Sequence, residues 1–168
     1  SYELYRELWK VYKKGDVSYL RGDIPSKEVF RRTRTLLRKE GIIRQDSDYT
    51  ALWRVMSKPD ASPEDIICSV DPDCYISHMS AMQRYGLTNR RPDALFLTQP
   101  TPQIRRQRLT ATMQEDYGEA LLDHGDEIEH PKALSHPVRV RGRAIVFHAT
   151  KFFGEHVGIK GSFSRIAT

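Results

Sequence analysis

The spacing of hydrophobic and polar positions predicts two amphipathic helices near the start of the chain. Ahead of Gly15, large apolar residues recur every three or four positions, as one face of a helix requires: Tyr2, Tyr5, Leu8, Trp9 and Tyr12. A second helix is predicted from about Lys27 to Glu40, because Ser26 is a good N-cap and Gly41 suits a helix C-terminus. Its apolar side chains fall on one side and can reach a core: Val29, Phe30, Leu36 and Leu37.

A β-hairpin is predicted directly after the second helix. Ile42 and Ile43 open one strand, residues 45–48 form the turn, and residues 49–55 are rich in strand-forming side chains. A short element and a tight turn are predicted at residues 16–25, between the two helices. The order of these elements is that of a winged helix-turn-helix, in which the second helix enters the DNA major groove and the hairpin contacts the backbone.

The polar side of the second helix is basic. Four cations spaced i, i+4, i+7 and i+11 form one stripe: Lys27, Arg31, Arg34 and Arg38. The stripe is roughly 16 Å long at about 1.5 Å of rise per residue. This stripe is either a solvated face or a surface for phosphates. Glu28 and Glu40 lie off it, so the charges along the stripe do not alternate in sign as they do in the ion pairs that stabilise helices. The stripe alone does not decide between these alternatives, and the winged-helix order of the flanking elements favours a surface that binds DNA.

The candidate DNA contacts divide by position along the helix and hairpin. Lys27 and Arg31, near the N-terminus of the helix, are the predicted base readers, since arginine pairs well with guanine edges. Arg34 and Arg38 complete the stripe that faces DNA. Four further cations are predicted to contact phosphates: Arg32, Lys39, Arg44 and Arg54.

Charge is unevenly distributed over the 168 residues, whose net charge is +5. Residues 1–58 hold 14 basic and 8 acidic side chains, whereas residues 59–168 hold 13 and 14. We predict two domains with this boundary, a DNA-binding domain at 1–58 and a second region at 59–168. A field concentrated in one domain suits a nucleic-acid module, because phosphate neutralisation supplies most sequence-independent affinity.

Composition favours a soluble, cytoplasmic protein. Hydrophobic residues make up 39% and charged residues 29%, and no apolar run approaches the ~20 residues of a membrane helix. No signal peptide is recognisable at the N-terminus. Cys68 and Cys74 are the two cysteines, and such sparse usage favours reduced thiols. We therefore predict no membrane association.

The second region is predicted to be a smaller mixed α/β unit, which makes the whole chain α+β. Residues 57–63 resemble a linker, and Ser62, Pro63 and Asp65 are typical of a helix start. The predicted helices cover 63–70 and 75–85, and the predicted strands lie near 94–98 and 138–150, the latter either one strand or a hairpin bent at Gly142.

The segment "YISHMSAMQRYGLTNRRPDALFLT" resembles the signature of the AbiEi family, the antitoxins of type IV (abortive-infection E) toxin–antitoxin systems. The matching residues are Tyr75, Ser77, Ser80, Ala81, Gly86, Leu87, Thr88 and Pro92. Residues 144–161 are similar to the family's next strand and loop, and the resemblance covers 1–168 in order. It implies a bacterial phage-defence protein that represses its own operon at promoter repeats and counteracts a nucleotidyltransferase-type toxin without a stable complex.

The chain departs from that family in two places. Seven acids lie between Glu115 and Glu129, in a stretch that is longer than the family usually has. The sequence stops at "SFSRIAT", where the family continues into further helices, so we expect a truncated or shortened C-terminal region. The acidic segment is either solvated or a competitor with DNA for the basic stripe.

No constellation of residues indicates an enzyme, a metal site or a cofactor site. The segment "HGDEIEH" at 124–130 lacks the spacing of a metalloprotease helix and is predicted to be a polar loop. Asp71 and Asp73 are predicted to form a turn and a helix cap. The alternatives that stay open are a winged-helix regulator of a mobile element without a toxin partner, a DNA-acting nuclease, and a dimerisation role for the middle region.

Overall fold

The computed structural model describes residues 1–15, 22–131, 134–153, 157–159 and 165–167, the last two ranges as backbone only. The protein is α+β and divides into two compact units. Unit 1 comprises residues 1–58 and 108–133, and unit 2 comprises residues 59–107 and 134–168. Most of the short element predicted at 16–25, and part of the family-like segment 144–161, lie outside the described residues.

The elements are as follows. The helices are α1 (Tyr2–Lys14), α2 (Lys27–Lys39), α3 (Pro63–Val70), α4 (His78–Arg84), α5 (Pro102–Tyr117) and α6 (Ala120–His124). The strands are β1 (Ile43–Gln45), β2 (Trp53–Val55), β3 (Tyr75–Ile76), β4 (Ala94–Pro100), β5 (Arg139–Val140), β6 (Arg143–Thr150), β7 (Val157–Ile159) and β8 (Arg165–Ala167).

Two predicted N-caps are present. The Ser26 hydroxyl accepts a hydrogen bond from the Val29 amide at 3.3 Å, and the Ser62 hydroxyl accepts one from the Asp65 amide at 3.1 Å. Each hydroxyl satisfies an amide that has no partner inside its helix. These caps fix the starts of α2 and α3 where the sequence predicted them.

The core of unit 1 is aromatic and draws on residues far apart in the sequence. Its buried members come from α1, α2, α5 and the chain after α6: Tyr5, Trp9, Phe30, Met113, Tyr117 and Ile128. The Tyr117 ring meets the Trp9 ring edge-on at 5.2 Å between centroids, and the Tyr5 ring meets Phe30 at 5.3 Å. Edge-to-face contacts of this kind stabilise aromatic cores beyond the area they bury.

This core explains why residues 108–133 belong to unit 1, whereas the sequence assigned them to the second region. The prediction placed a single boundary after residue 58, at the linker-like segment 57–63, but apolar residues among the acids of 115–129 pack into the core of unit 1. Ile128 is only 1% exposed, within the segment 124–130 that was predicted to be a polar loop. Leu36 differs in the opposite direction: it was predicted to face a core and is 57% exposed.

Unit 2 is built on a six-stranded mixed sheet with the order β5-β6-β4-β3-β8-β7. The longest pair, β4 and β6, is parallel, from Ala94 opposite Ala144 to Pro100 opposite Thr150. Two parallel strands need a crossover connection between them. Helix α5, which begins two residues after β4, is part of that connection. The other pairs are antiparallel, except that β3 runs parallel to β8.

The predicted helix at 75–85 is shorter in the structure, since Tyr75 and Ile76 form strand β3. Ser77 ends the strand: its amide donates to the Phe96 carbonyl at 3.0 Å, and α4 follows directly. The Ser80 hydroxyl accepts from the Phe96 amide at 2.9 Å, so small side chains let α4 lie close to β4. The predicted strand at 138–150 is a hairpin of β5 and β6, bent at Gly142.

The structure also bears on the predictions for one helix, one strand, the two cysteines and membrane crossing. Helix α3 occupies Pro63–Val70, as predicted, and β4 extends two residues beyond the predicted strand at 94–98. Cys68 and Cys74 are both buried, and no disulfide joins them. In the part of the chain that the structure describes, no helix combines the length and apolar character needed to cross a bilayer.

Candidate nucleic-acid interface

Helix α2 presents its basic side at the surface of unit 1. Lys27, Arg31 and Arg38 are exposed, Arg34 is half-buried, and Phe30 on the opposite side is buried in the core. The predicted stripe is therefore present as a surface feature, and the helix is anchored by its apolar side.

Two of the stripe's arginines rest on aromatic rings. The Arg34 guanidinium carbon lies 5.7 Å from the centroid of Phe30, and that of Arg38 lies 6.0 Å from the centroid of Trp53. A guanidinium over an aromatic face is attracted by the ring and loses rotational freedom. Because Trp53 belongs to β2, the Arg38 contact also brings the end of α2 against the hairpin.

Glu28 reaches the basic surface, although the sequence placed it off the stripe. Its carboxylate accepts from Arg31 Nε at 3.0 Å and Nη2 at 2.9 Å, and from Arg32 Nε at 2.7 Å. These hydrogen bonds, first from Arg31 and then from Arg32, lower the pKa of Glu28. Spacings of three and four residues allow one carboxylate to serve both arginines. All three side chains are exposed, so a phosphate can displace the glutamate.

Replacing Glu28 with glutamine is expected to raise the affinity for duplex DNA of any sequence about two- to fivefold at low salt, because it releases both guanidinia and removes one repulsive charge. Fluorescence anisotropy with a labelled duplex measures the change. Glu40→Gln is the matched control, since it removes the same charge from an exposed position at the end of α2. Equal gains in the two variants would show that Glu28 does not compete for the arginines.

The hairpin carries its two predicted phosphate contacts on one face. Arg44 lies directly opposite Arg54 in the antiparallel pair, so both side chains project to the same side. Two like charges in this position repel each other, and an anion between them relieves the repulsion. Arg54 is half-buried and its Nη2 donates to the Lys58 carbonyl at 3.4 Å. Lys39 is exposed at the end of α2.

The tip of the hairpin is acidic. The Asp46 carboxylate accepts from the amides of Asp48 at 2.9 Å and Tyr49 at 3.0 Å, which closes the turn. Phosphate contacts by the hairpin are therefore expected at its base and not at its tip. A cavity of about 670 Å³ is lined by residues from the end of α2 and from the hairpin, among them Arg38, Arg44, Trp53 and Asp46 of the tip.

The acidic segment 115–129 contributes directly to unit 1. Glu127 Oε2 accepts from the backbone amide of Lys27 at 3.0 Å, where a carboxylate is favoured by the partial positive charge of a helix N-terminus. Asp116 accepts from the Tyr2 hydroxyl at 2.5 Å and lies 3.6 Å from Arg6 Nη1. No ion pair joins an α2 guanidinium to a carboxylate of this segment within the described residues.

These contacts change how charge is divided between the units. Residues 108–133 hold seven acidic and two basic side chains, so unit 1 has a net charge of +1 and unit 2 has +4. The concentration of positive charge counted over residues 1–58 is therefore not retained when the charge is counted over the folded units. The positive character of unit 1 is local to α2 and the base of the hairpin.

Sequence reasoning missed the partners of the basic residues. The rings of Phe30 and Trp53 support two arginines. The Glu127 carboxylate accepts from the first backbone amide of α2, although it lies 100 residues away in the sequence. The Glu28 pairing could have been found, because its spacing to Arg31 and Arg32 is the standard one for helical ion pairs. The Glu127 contact depends on the fold and leaves no local pattern.

Unit 2 contains a buried polar cluster that the sequence did not predict. Asp71 Oδ2 accepts from Arg105 Nη2 at 2.7 Å and lies 2.9 Å from His136 Nε2, and Arg105 also donates to Gln99 at 2.9 Å. Asp71 had been predicted to form a turn, and it does follow α3, but its side chain is buried. The cluster joins three separate segments and has the geometry of a structural ion pair.

No group of three or more histidine, cysteine or acidic side chains is arranged to hold a metal ion among the residues that the structure describes. His130 Nε2 lies 3.2 Å from the Gly125 carbonyl, within its own segment.

No protein-family model and no curated protein matches the chain.

Proposed function

We propose that the protein is a bacterial DNA-binding antitoxin and autorepressor whose helix α2 reads DNA. The observation that carries the proposal is the exposed basic face of α2, with arginines fixed on Phe30 and Trp53 beside a two-stranded hairpin. Helix, helix and hairpin follow one another as in a winged helix-turn-helix, and the recognition helix of that fold has such a face.

The interface divides into base-reading and phosphate-binding parts. Lys27 and Arg31, in the first turns of α2, are the proposed base readers, and the N-terminal part of a recognition helix is the part that reaches base edges. Arg34 and Arg38 line the same face. The proposed phosphate contacts are Arg32, Lys39, Arg44 and Arg54. Phosphate contacts fix the register, and base contacts supply sequence preference.

Replacing both Arg31 and Arg34 with alanine is expected to lower the affinity for the operon promoter at least about 100-fold, as each lost charge-assisted contact costs ~1.5–3 kcal/mol. Anisotropy with promoter and scrambled duplexes measures the loss, and circular dichroism checks the fold. Lys10→Ala with Lys14→Ala is the control, because it removes two exposed cations from α1 of the same unit. A folded Arg31/Arg34 variant with unchanged promoter affinity would exclude α2 as the reading helix.

The antitoxin role rests on the resemblance of residues 75–98 to the AbiEi signature. Ser77 and Ser80 of that signature bond within the unit, to Thr98 and to the backbone of Phe96. These contacts explain why the segment needs small hydroxyl side chains. Co-expression with the product of a neighbouring nucleotidyltransferase-like gene tests the role: restored growth supports an antitoxin, and unrelieved toxicity contradicts it.

The alternative is a winged-helix regulator of a mobile element that has no toxin partner. It uses the same interface on DNA and differs in its gene neighbourhood. Finding no nucleotidyltransferase-like gene beside this one, together with intact promoter binding, would favour the alternative.

A further inference from the structure

Unit 2 contains a groove whose walls are rich in arginine. Two cavities, of about 310 and 750 Å³, share the lining residues Glu64, Arg91 and Arg143 and so adjoin. We call them together the arginine groove, after the five arginines that line it: Arg84, Arg91, Arg139, Arg141 and Arg143. None of these residues belongs to α2 or to the β1–β2 hairpin, whereas three of them lie in the β5–β6 hairpin.

Three of the guanidinia are held in place by other groups of the unit. Arg143 Nη1 donates to Glu64 Oε1 at 2.9 Å, and these side chains are only 22% and 12% exposed. Arg141 Nε donates to Asp60 Oδ1 at 3.3 Å, and Arg139 Nη1 donates to the Gly142 carbonyl at 3.0 Å. Side chains fixed before a ligand arrives lose less conformational entropy on binding.

The groove has an excess of positive charge. Its lining includes five arginines against the two carboxylates of Glu64 and Asp93, and a third carboxylate, that of Asp60, pairs with Arg141. Arg91 is exposed and has no hydrogen-bond or ion-pair partner within the described residues. Guanidinium groups gathered around one concave surface repel each other, so an anion that neutralises them binds favourably. The net charge of +4 on unit 2 acts in the same direction.

The turn between β5 and β6 places one of these arginines in an uncommon backbone conformation. Val140 pairs with Arg143, so the loop consists of Arg141, with φ +48°, and Gly142, with φ +78°. Glycine, asparagine and aspartate are the usual residues where φ is positive in such loops. Arginine in this position is an outlier, and outliers of this kind concentrate at ligand-binding and functional sites.

From these observations we propose that the arginine groove is a binding site for phosphate groups, presented by a nucleotide or by a nucleic-acid backbone. The planar fork of each guanidinium matches two phosphate oxygens, and several forks around a concavity can contact successive phosphates. The site is additional to α2. It does not depend on promoter reading by that helix, so either proposal can fail while the other stands.

The test uses the full chain carrying Arg31→Ala and Arg34→Ala, so that α2 contributes little to the measured binding. Into this background we introduce Arg91→Ala with Arg139→Ala, two exposed positions in the groove. The control is Arg90→Ala with Lys151→Ala, which removes the same charge from exposed positions of unit 2 that are absent from the groove lining. Calorimetry with ATP and with pyrophosphate tests small ligands, and anisotropy with a duplex of unrelated sequence tests nucleic acid.

The groove variant is expected to lose about tenfold or more in affinity for at least one probe, whereas the control variant changes little. Loss for ATP and pyrophosphate alone identifies a nucleotide site, and loss for the duplex alone identifies a backbone site. For the duplex, the slope of log K against log salt should also fall by about two, one for each lost phosphate contact. No measurable binding of any probe, or equal losses in the two variants, would overturn the proposal.

Discussion

Replacing Tyr117 with alanine is expected to destabilise unit 1 by about 3–5 kcal/mol, the usual cost of removing a large aromatic side chain from a core. Tyr117 is only 6% exposed, and its ring meets those of Tyr2, Tyr5 and Trp9. Burial is also the main cause that raises the pKa of Tyr117 to about 12. Urea unfolding followed by tryptophan fluorescence measures the loss, because Trp9 and Trp53 both belong to unit 1.

Tyr117→Phe is the matched control for this substitution. The Tyr117 hydroxyl is buried and has no partner with hydrogen-bond geometry in the described part of the chain, so its removal should change stability by less than about 1 kcal/mol. Equal and small effects of the two substitutions would contradict the assignment of 108–133 to unit 1. The same core makes deletion of 115–129 a poor test of competition with DNA, since it removes Tyr117 and Ile128 as well as the acids.

Replacing Asp71 with alanine is expected to destabilise unit 2 by about 3–5 kcal/mol, because it leaves the partly buried Arg105 guanidinium without its carboxylate. The side chains of Asp71, Arg105 and His136 are 6%, 15% and 8% exposed, so water replaces the lost contacts poorly. Hydrogen exchange of peptides from β4 and β6 measures the loss. Asp93→Asn is the control, since Asp93 is exposed.

The cluster of Asp71, Arg105 and His136 is also expected to make the stability of unit 2 depend on pH. Burial alone raises the pKa of Asp71, but the hydrogen bond with His136 and the charge of Arg105 outweigh it, and the net pKa is lowered. A carboxyl group with a lowered folded pKa stabilises the fold above its unfolded pKa of about 3.9, and the contribution disappears as the pH falls through the folded value. Wild type and Asp71→Ala should therefore differ most near neutral pH and converge in strong acid. A difference that grew on acidification would contradict this.

Local elements were predictable from the sequence because their signals are local. The caps at Ser26 and Ser62, the amphipathic faces of α1 and α2, and the strand-forming residues of the hairpin act within a few positions. The strand at Tyr75–Ile76 was predicted as helix because its pairing with β4 depends on residues about 20 positions away. A strand of two residues is too short to show the alternation of apolar and polar positions that distinguishes a strand from the helix that follows it.

Long-range packing was not predictable, and it changed the electrostatic picture most. Acidic composition made 115–129 look solvated, while Met113, Tyr117 and Ile128 between and beside the acids enter the core of unit 1. The contacts of Asp71 with Arg105 and His136 span 34 and 65 residues, so no spacing reveals them. Net charge counted along the sequence consequently differed from net charge counted over the folded units.

For the proposed DNA interface, the sequence was sufficient to identify the basic residues but not their environment. Helical spacing placed Lys27, Arg31, Arg34 and Arg38 on one face, and in the structure three of them are exposed and Arg34 is half-buried. The supporting rings of Phe30 and Trp53 emerge only from side-chain geometry. The pairing of Glu28 with Arg31 and Arg32, by contrast, has the standard helical spacing and was accessible from the sequence. The aromatic rings fix Arg34 and Arg38, whereas Arg31 and Arg32 must release the Glu28 carboxylate before they can bind another anion.

The most direct test of DNA reading by α2 is fluorescence anisotropy of the chain with its own promoter and with a scrambled duplex, over a series of salt concentrations. We predict tight binding to the promoter, weaker binding to the scrambled duplex, and a steep fall of affinity with salt as phosphate contacts release counterions. Equal weak binding to both duplexes, or none, would contradict the proposal and leave the stripe of α2 as a solvated surface.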